Sequence, residues 1–423
     1  MASNHGWGNA AQAFGNRNYR TYQLGRFVSQ IMVWQYRVAI GWLVWELTHS
    51  ATWLGIFGFL DQSLALFIMP IAGALADRTD SLKYLRVTQA LLLIQAVVLS
   101  LLDAFDVLNL WILVAFTLSN GAINSAQQPA SQAILPNLLR KEELATGYGL
   151  NSMTFNVSRF IGPMIAGIVI VNWGTAPAIF CNAIGAATFS FCLFSMRNNF
   201  TFPARPRNRS AHMAGDLRGG LKYAVRHKGI GPTMAILSAL AIMPFTIDPL
   251  LPSLADGVFH AGATGLSWMT STMGVGALVQ GSLIVRRGGI AGLSAYVNRA
   301  ILCLGIAFLV LSLSGYLWLA LVCIFVIGFS SSATRVASMT LLQFSVDVDM
   351  RGRVASFYGV INQAGPALAS LAVGALCDRF GIPLIMGIVG ACTLGVWSWA
   401  VARHRAIATA LEVEPLAHRS VEK

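Results

Sequence analysis

Apolar runs too long for a soluble helix recur along the whole chain. Twelve can be read, at 24–47, 52–76, 82–103, 108–134, 143–171, 174–196, 232–256, 262–285, 291–314, 316–343, 351–376 and 381–402. A bilayer core about 30 Å thick is crossed by roughly 20 apolar residues in a helix. These runs are continuous, unlike the ten-residue alternating segments of a membrane barrel, so they read as spans 1 to 12 of an all-α polytopic membrane protein. Hydrophobic residues make up 56% of the 423, more than a soluble core could hide.

The net charge of +12 raises the possibility of nucleic acid as a partner, and its distribution removes it. All but five of the 29 Lys and Arg fall in the N-terminal tail, the even-numbered loops with the span ends that border them, or the C-terminal tail. Arg379 is the one exception outside the spans, and Arg37, Arg159, Arg299 and Arg335 lie within them. That asymmetry is the positive-inside bias, and it places both termini in the cytoplasm. The first 23 residues are polar and precede a full span, so no cleavable signal peptide is expected.

Residues 197–231 contain no apolar run and separate six spans from six. The expected organisation is a six-helix bundle over 1–196, a basic cytoplasmic linker over 197–231, and a second bundle with its cytoplasmic tail over 232–423. Leu217 to Val225 could form a short amphipathic helix on the inner membrane face. A weak internal repeat supports the halves. Gly73-x-x-x-Asp77-Arg78 recurs as Gly281-x-x-x-Val285-Arg286, and Tyr148-Gly149 recurs as Tyr358-Gly359. The six cysteines show neither metal spacing nor a paired framework and read as packing residues.

The loop after span 2 reads GALADRTDSLKYLRVTQ over residues 73–89. Twelve spans in two halves with this loop resemble the major facilitator superfamily. Gly73, Asp77 and Arg78 match its loop signature, while Asp80 replaces the second glycine and Ser81 and Leu82 stand where basic residues are common. Residues 39–56, 127–167 and 351–370 are similar to the subfamily that contains the bacterial siderophore exporters. The resemblance implies an inner-membrane secondary exporter driven by proton exchange. It leaves the cargo open, because the subfamily also contains members with drug-like or unknown substrates.

Charges in hydrocarbon are costly, so each intramembrane ionisable residue is a functional candidate. Gln30, Trp34, Arg37, Gly41 and Trp45 share one stripe of span 1, and Asn120, Asn124, Gln127 and Ser131 share one of span 4. Ser152, Asn156, Arg159 and Pro163 form a third in span 5, and Ser331, Arg335 and Ser338 a fourth in span 10. In the superfamily, spans 1, 4, 7 and 10 line the central cavity. That agrees with three of the four stripes, and because polar stripes cannot face lipid, Gln30, Trp34, Arg37, Asn120, Asn124, Gln127, Asn156, Arg159 and Arg335 are the substrate-cavity candidates. The competing reading is that they are hydrogen-bond seams between helices. Arg299 is expected to snorkel.

Asp61 and Asp248 are the only acids deep in spans and are the proton-coupling candidates. Burial raises a carboxyl pKa and a neighbouring Arg lowers it, so cargo that displaces an Arg–Asp pair could couple the two movements. The alternative for Asp61 is a fixed structural pair with Arg37. Pro244, Pro249 and Pro252 surround Asp248, and each removes a backbone donor, so span 7 is expected to break or kink there.

Three arginines against two acids leave the expected cavity slightly positive, which suits an anionic small-molecule substrate. The other expected partners are protons and the lipid bilayer, with no cofactor, no metal and no nucleic acid, and the chain is expected to act as a monomer. A multidrug exporter and a non-transporting receptor or scaffold are the competing functions. An enzyme is disfavoured because no catalytic triad, metal cluster or phosphate loop is present.

In the superfamily the acid equivalent to Asp77 contacts the start of span 11 across the two halves. The resemblance therefore gives a conformational latch made of Gly73, Asp77, Arg78, Arg140, Arg351 and Arg353, with the dipole of span 11 favouring the acid. Asp77→Ala should bias the protein toward its inward-facing form. Cysteine labelling of the inner gate measures this, and unchanged accessibility would remove the role.

Overall fold

The computed structural model describes residues 14–76, 79–140, 143–196, 227, 229–242, 244, 247–287, 289–346 and 350–412. The proposed amphipathic helix over 217–225 lies outside them. All twelve spans are helical: Arg17–Thr48, Ala51–Ala76, Ser81–Ala104, Leu110–Leu138, Leu144–Trp173 and Thr175–Ser195, then Ile230–Ile242 with Ile247–Gly257, Gly262–Arg287, Leu293–Leu313, Leu317–Ser345, Arg351–Phe380 and Ile382–Leu411. Of span 7 the described parts are the helices Ile230–Ile242 and Ile247–Gly257, with Pro244 between them. Spans 1 and 12 extend beyond their apolar runs, because their outer turns pack on the protein itself. Tyr19 and Leu411 in those turns are fully buried.

Among the described residues, nine of the spans are long and apolar enough to cross a membrane by length and composition, and spans 1, 4 and 8 are not among them. Spans 1 and 4 carry polar stripes, and polarity on a helix packed against protein need not face lipid. Large apolar side chains such as Phe191 at 73% and Leu313 at 87% exposure form the outward surface. Such a surface requires lipid rather than water. The chain is a multi-pass membrane protein.

Two compact units are formed: Met1–His49, Leu60–Pro206 and Ala261–Ser271 make one, and Ser50–Phe59, Arg207–His260 and Thr272–Lys423 the other. In the first, span 1 packs on spans 4, 5 and 6, and span 3 packs on spans 4 and 6. In the second, span 7 packs on spans 10, 11 and 12, and span 9 packs on spans 10 and 12. Adding six to each number of the first set gives the second. The repeat that is faint in the residues is therefore plain in the packing. It also fixes two turns. Gly174 joins spans 5 and 6 at φ +87°, and Gly381 joins spans 11 and 12 at φ +86°, a conformation that a Cβ would strain.

Helix ends are capped by residues that sequence alone gives to other tasks. Asn16 accepts from the Asn18 and Tyr19 amides and donates to the Leu138 carbonyl, tying span 1 to the end of span 4. Asp80 accepts from the Leu82 amide at the start of span 3. Arg86, one of the basic residues of the loop after span 2, donates to the last carbonyls of span 6, those of Leu193 and Met196. In the second unit Asp378, near the end of span 11, accepts from the Ser50 hydroxyl and the Ala51 and Thr52 amides at 2.5, 2.7 and 2.9 Å. An acid at the positive end of a helix is well placed, and span 2 begins on it.

Glu412 does the same for span 9, accepting from the Gly292 amide at 2.9 Å and the Ser294 amide at 2.6 Å. Burial alone would raise its carboxyl, but the hydrogen bonds from Ser294 and Gly292 and the nearby His404 outweigh it and hold it below the ordinary glutamate range. A lowered folded pKa means that the stabilisation is present above the unfolded value and is lost as pH falls through the folded one. Glu412→Ala should cost about 1 kcal/mol at neutral pH. Thermal unfolding in detergent at pH 7 and pH 4 measures it. The gap between wild type and variant should shrink at the lower pH, and a gap that widens there would contradict the cap.

Candidate functional site

The first unit brings four expected residues together: Trp34, Arg37, Asp61 and Arg159. Trp34 and Arg37 lie on one stripe of span 1, Asp61 in span 2 and Arg159 in span 5. Arg37 Nη2 donates to Asp61 Oδ2 at 3.3 Å. The guanidinium groups of Arg37 and Arg159 lie 5.1 and 5.3 Å from the centroid of the Trp34 ring. Phe155 meets that ring edge-on at 5.4 Å. The Trp34 Nε1 atom is buried and meets no acceptor among the described residues.

Close helix crossings hold this arrangement. A Cβ on Gly162 would lie 2.6 Å from the Trp34 Cβ and 2.7 Å from the Ile31 carbonyl oxygen, so span 5 abuts span 1 at the tryptophan. A Cβ on Gly121 would lie 2.9 Å from the Asp61 carbonyl oxygen, which puts span 4 against span 2 at the acid. Buried amides tie span 1 to spans 5 and 6. Gln23 donates to Thr154, and Gln35 donates to the Ala178 carbonyl.

Electrostatics make the ion pair separable. Its side chains are 54% and 31% exposed, and it rests on one N–H···O contact rather than a two-pronged fork. Such a pair is well screened compared with a sealed one. The structural-pair reading of Asp61 with Arg37 is thus realised in an open form. A proton can reach the carboxylate, and an anion can compete for the guanidinium. Each cation over the indole contributes about 0.5–1 kcal/mol in an exposed setting and positions the charges against an aromatic face.

The amides divide differently. Gln127 donates to Gln89 of span 3 at 2.8 Å, a seam between helices. Asn124 donates to the Asn120 side chain and carbonyl, and Asn156 donates to the Ser152 carbonyl, all within their own helices. In the second unit Arg335 is half-buried in span 10, while Asp248 lies in the first turn of Ile247–Gly257. The expectation of a buried carboxylate there differs from the structure: Asp248 is exposed rather than buried, and at a helix start the dipole favours an anion. Arg299 is exposed.

Of the latch, Asp77 and Arg78 lie outside the described residues. Gly73 lies in the last turns of span 2, and Arg351 and Arg353 open span 11. Arg140 is exposed, and its amide donates to Glu143.

Next to the tryptophan lies a cavity of about 250 Å³. Arg26 and Gln30 of span 1 line it, with Tyr148, Asn151, Ser152 and Phe155 of span 5. Arg26 was not expected there, since its place at the start of span 1 assigns it to topology. The missed signal is periodicity: Arg26 stands four residues before Gln30 and continues the stripe.

A sequence profile of the transmembrane secretion effector family matches residues 10–418. The chain is 26% identical to the staphyloferrin A transporter of Staphylococcus aureus, over 85% of this chain and 90% of the relative. It is also 26% identical to the enterobactin exporter EntS of Escherichia coli, over 85% of each. The fold is similar to that of the nucleoside transporter NupG, with a TM-score of 0.68, 12% identity and coverage of 93% and 99%. It is similar too to a bacterial homologue of the lysosomal transporter Spinster, with a TM-score of 0.70, 13% identity and coverage of 96% and 99%. Fold and relatives are those of major facilitator transporters, not of enzymes.

The Gly162 crossing yields a test. Gly162→Val forces new atoms into span 1 and should cost about 1–3 kcal/mol by overpacking. The thermal midpoint in detergent should fall, and accessibility of a cysteine placed at residue 37 should change. An unaltered midpoint would mean that the crossing is loose and does not set the position of Trp34.

Proposed function

The chain belongs to the transmembrane secretion effector family, and on that premise we propose that it is a proton-coupled exporter of the bacterial inner membrane. Its cargo is a siderophore or a similar small, acid-bearing metabolite. The observation that carries this reading is the open Arg37–Asp61 pair beside Trp34 and Arg159. Its support is chemical: the pair offers a cation to an anionic cargo, a carboxylate to a proton and an aromatic face to a ring. The two curated relatives named above handle siderophores by their own descriptions, which supports the same cargo class here. The basic tails and even-numbered loops support cytoplasmic termini.

Exchange requires cargo and proton to be carried in opposite phases of the cycle: the anion on Arg37 in the outward phase, and the proton on Asp61 in the return phase. Alternating access then requires the two halves to rock, and Asp77 with Arg78, Arg140, Arg351 and Arg353 is proposed as the inner latch. Asp248, exposed at a helix start, is the other coupling candidate.

Asp61→Asn should abolish proton-driven efflux from proteoliposomes while preserving binding of cargo. Efflux at the wild-type rate in this variant would remove Asp61 from coupling. The same result in Asp248→Asn as well would exclude both acids.

A further inference from the structure

We propose that Arg26 forms a second anion-binding station in the first unit, at the amino-terminal side of the Trp34 site, with an aromatic or hydroxylated carboxylic acid as its ligand. Arg26 is half-buried in the third turn of span 1. Its Nη1 donates to the Tyr22 hydroxyl at 2.6 Å and to the Ser131 hydroxyl. Its guanidinium lies 5.8 Å from the Tyr22 ring centroid. These partners are neutral, and the ion pair found among the described residues is that of Arg37 with Asp61. A guanidinium has five donors, and among the described residues these contacts engage Nη1, which leaves Nη2 and Nε to grip an anion.

The cavity beside Arg26 is built for such a ligand. Among the described residues its lining presents the Gln30 and Asn151 amides and the Tyr148, Ser152 and Thr154 hydroxyls, with no acid. At about 250 Å³ it exceeds the roughly 30 Å³ share of one water several-fold. That is room for one ring with its carboxylate, or for one arm of a larger cargo. Phe155 closes one side of the cavity and meets Trp34 edge-on, so the aromatic wall continues from this station to the Arg37 site. Tyr22 is held by a fully packed cluster with Tyr19, Leu85, Leu135, Phe189 and Leu193, which fixes the hydroxyl that orients Arg26. Two stations eleven residues apart on one stripe would pass an anion along span 1 without its meeting a bare acid. This inference rests on the export reading for its purpose but not for its test.

The anionic oxygen could equally be supplied by a lipid phosphate. Both sources are separated by equilibrium dialysis of labelled 2-hydroxybenzoate against the full chain in nanodiscs of phosphatidylcholine alone, or with added phosphatidylglycerol. Wild type should bind saturably in the neutral discs. Arg26→Gln should weaken binding by about tenfold or more, and Arg26→Lys by less, because a charge without the fork is retained. The neutral analogue 2-hydroxybenzamide should not distinguish wild type from Arg26→Gln. Phosphatidylglycerol that leaves acid binding intact identifies the soluble acid as the ligand. Competition that disappears in Arg26→Gln identifies the lipid phosphate at the same station. No saturable binding by wild type in neutral discs, or equal affinity in wild type, Arg26→Gln and Arg26→Lys, would overturn the proposal. No gradient is applied, so a protein that binds here but does not export refutes the export reading alone.

Discussion

Arg37 and Asp61 lie 3.3 Å apart on helices whose outward faces are apolar, and either charge alone would be expensive there. Much of the first unit is arranged around that contact. Gly162 lets span 5 press on span 1 at Trp34, and Gly121 lets span 4 press on span 2 at Asp61. Buried amides such as Gln23 and Gln35 fix the neighbouring crossings. The pair is nevertheless left partly exposed and single-pronged, which a purely structural bridge would not need. Strength has been given up where separability is useful.

The two units share one packing scheme but not one distribution of charge. Gly174 and Gly381 occupy matching turns, and spans pair in the same way in both. The Trp34 ring with two arginines has no counterpart described in the second unit. That unit instead places an acid, Asp378, at the start of span 2. A repeat in fold with asymmetry in charge suits a carrier whose halves have different tasks.

Much of the architecture was legible because hydrophobic thickness dictates span length, so the apolar runs gave twelve helices with ends within a few residues for most. Span 12 ran longer than its apolar run because Ile407 and Leu411 bury themselves against protein, which hydropathy does not distinguish. Site residues were less legible. Gln127 and Arg37 look alike as polar members of a stripe, yet one bonds a neighbouring helix and the other faces an open pair. Arg26 was concealed by its position at a span end, where positive charge has a sufficient topological explanation. Asp378 carries a signal in the sequence: Gly374-x-x-x-Asp378-Arg379 repeats the pattern of Gly73-x-x-x-Asp77-Arg78.

The central claim is outward transport of a small, acid-bearing metabolite. Mass spectrometry of cell extract and culture medium from a deletion strain tests it most directly. The account requires one anionic metabolite to accumulate inside the cells and to be depleted outside, with both changes reversed by the wild-type gene. Unchanged partition of every acidic metabolite, or accumulation of neutral and cationic compounds instead, would contradict it.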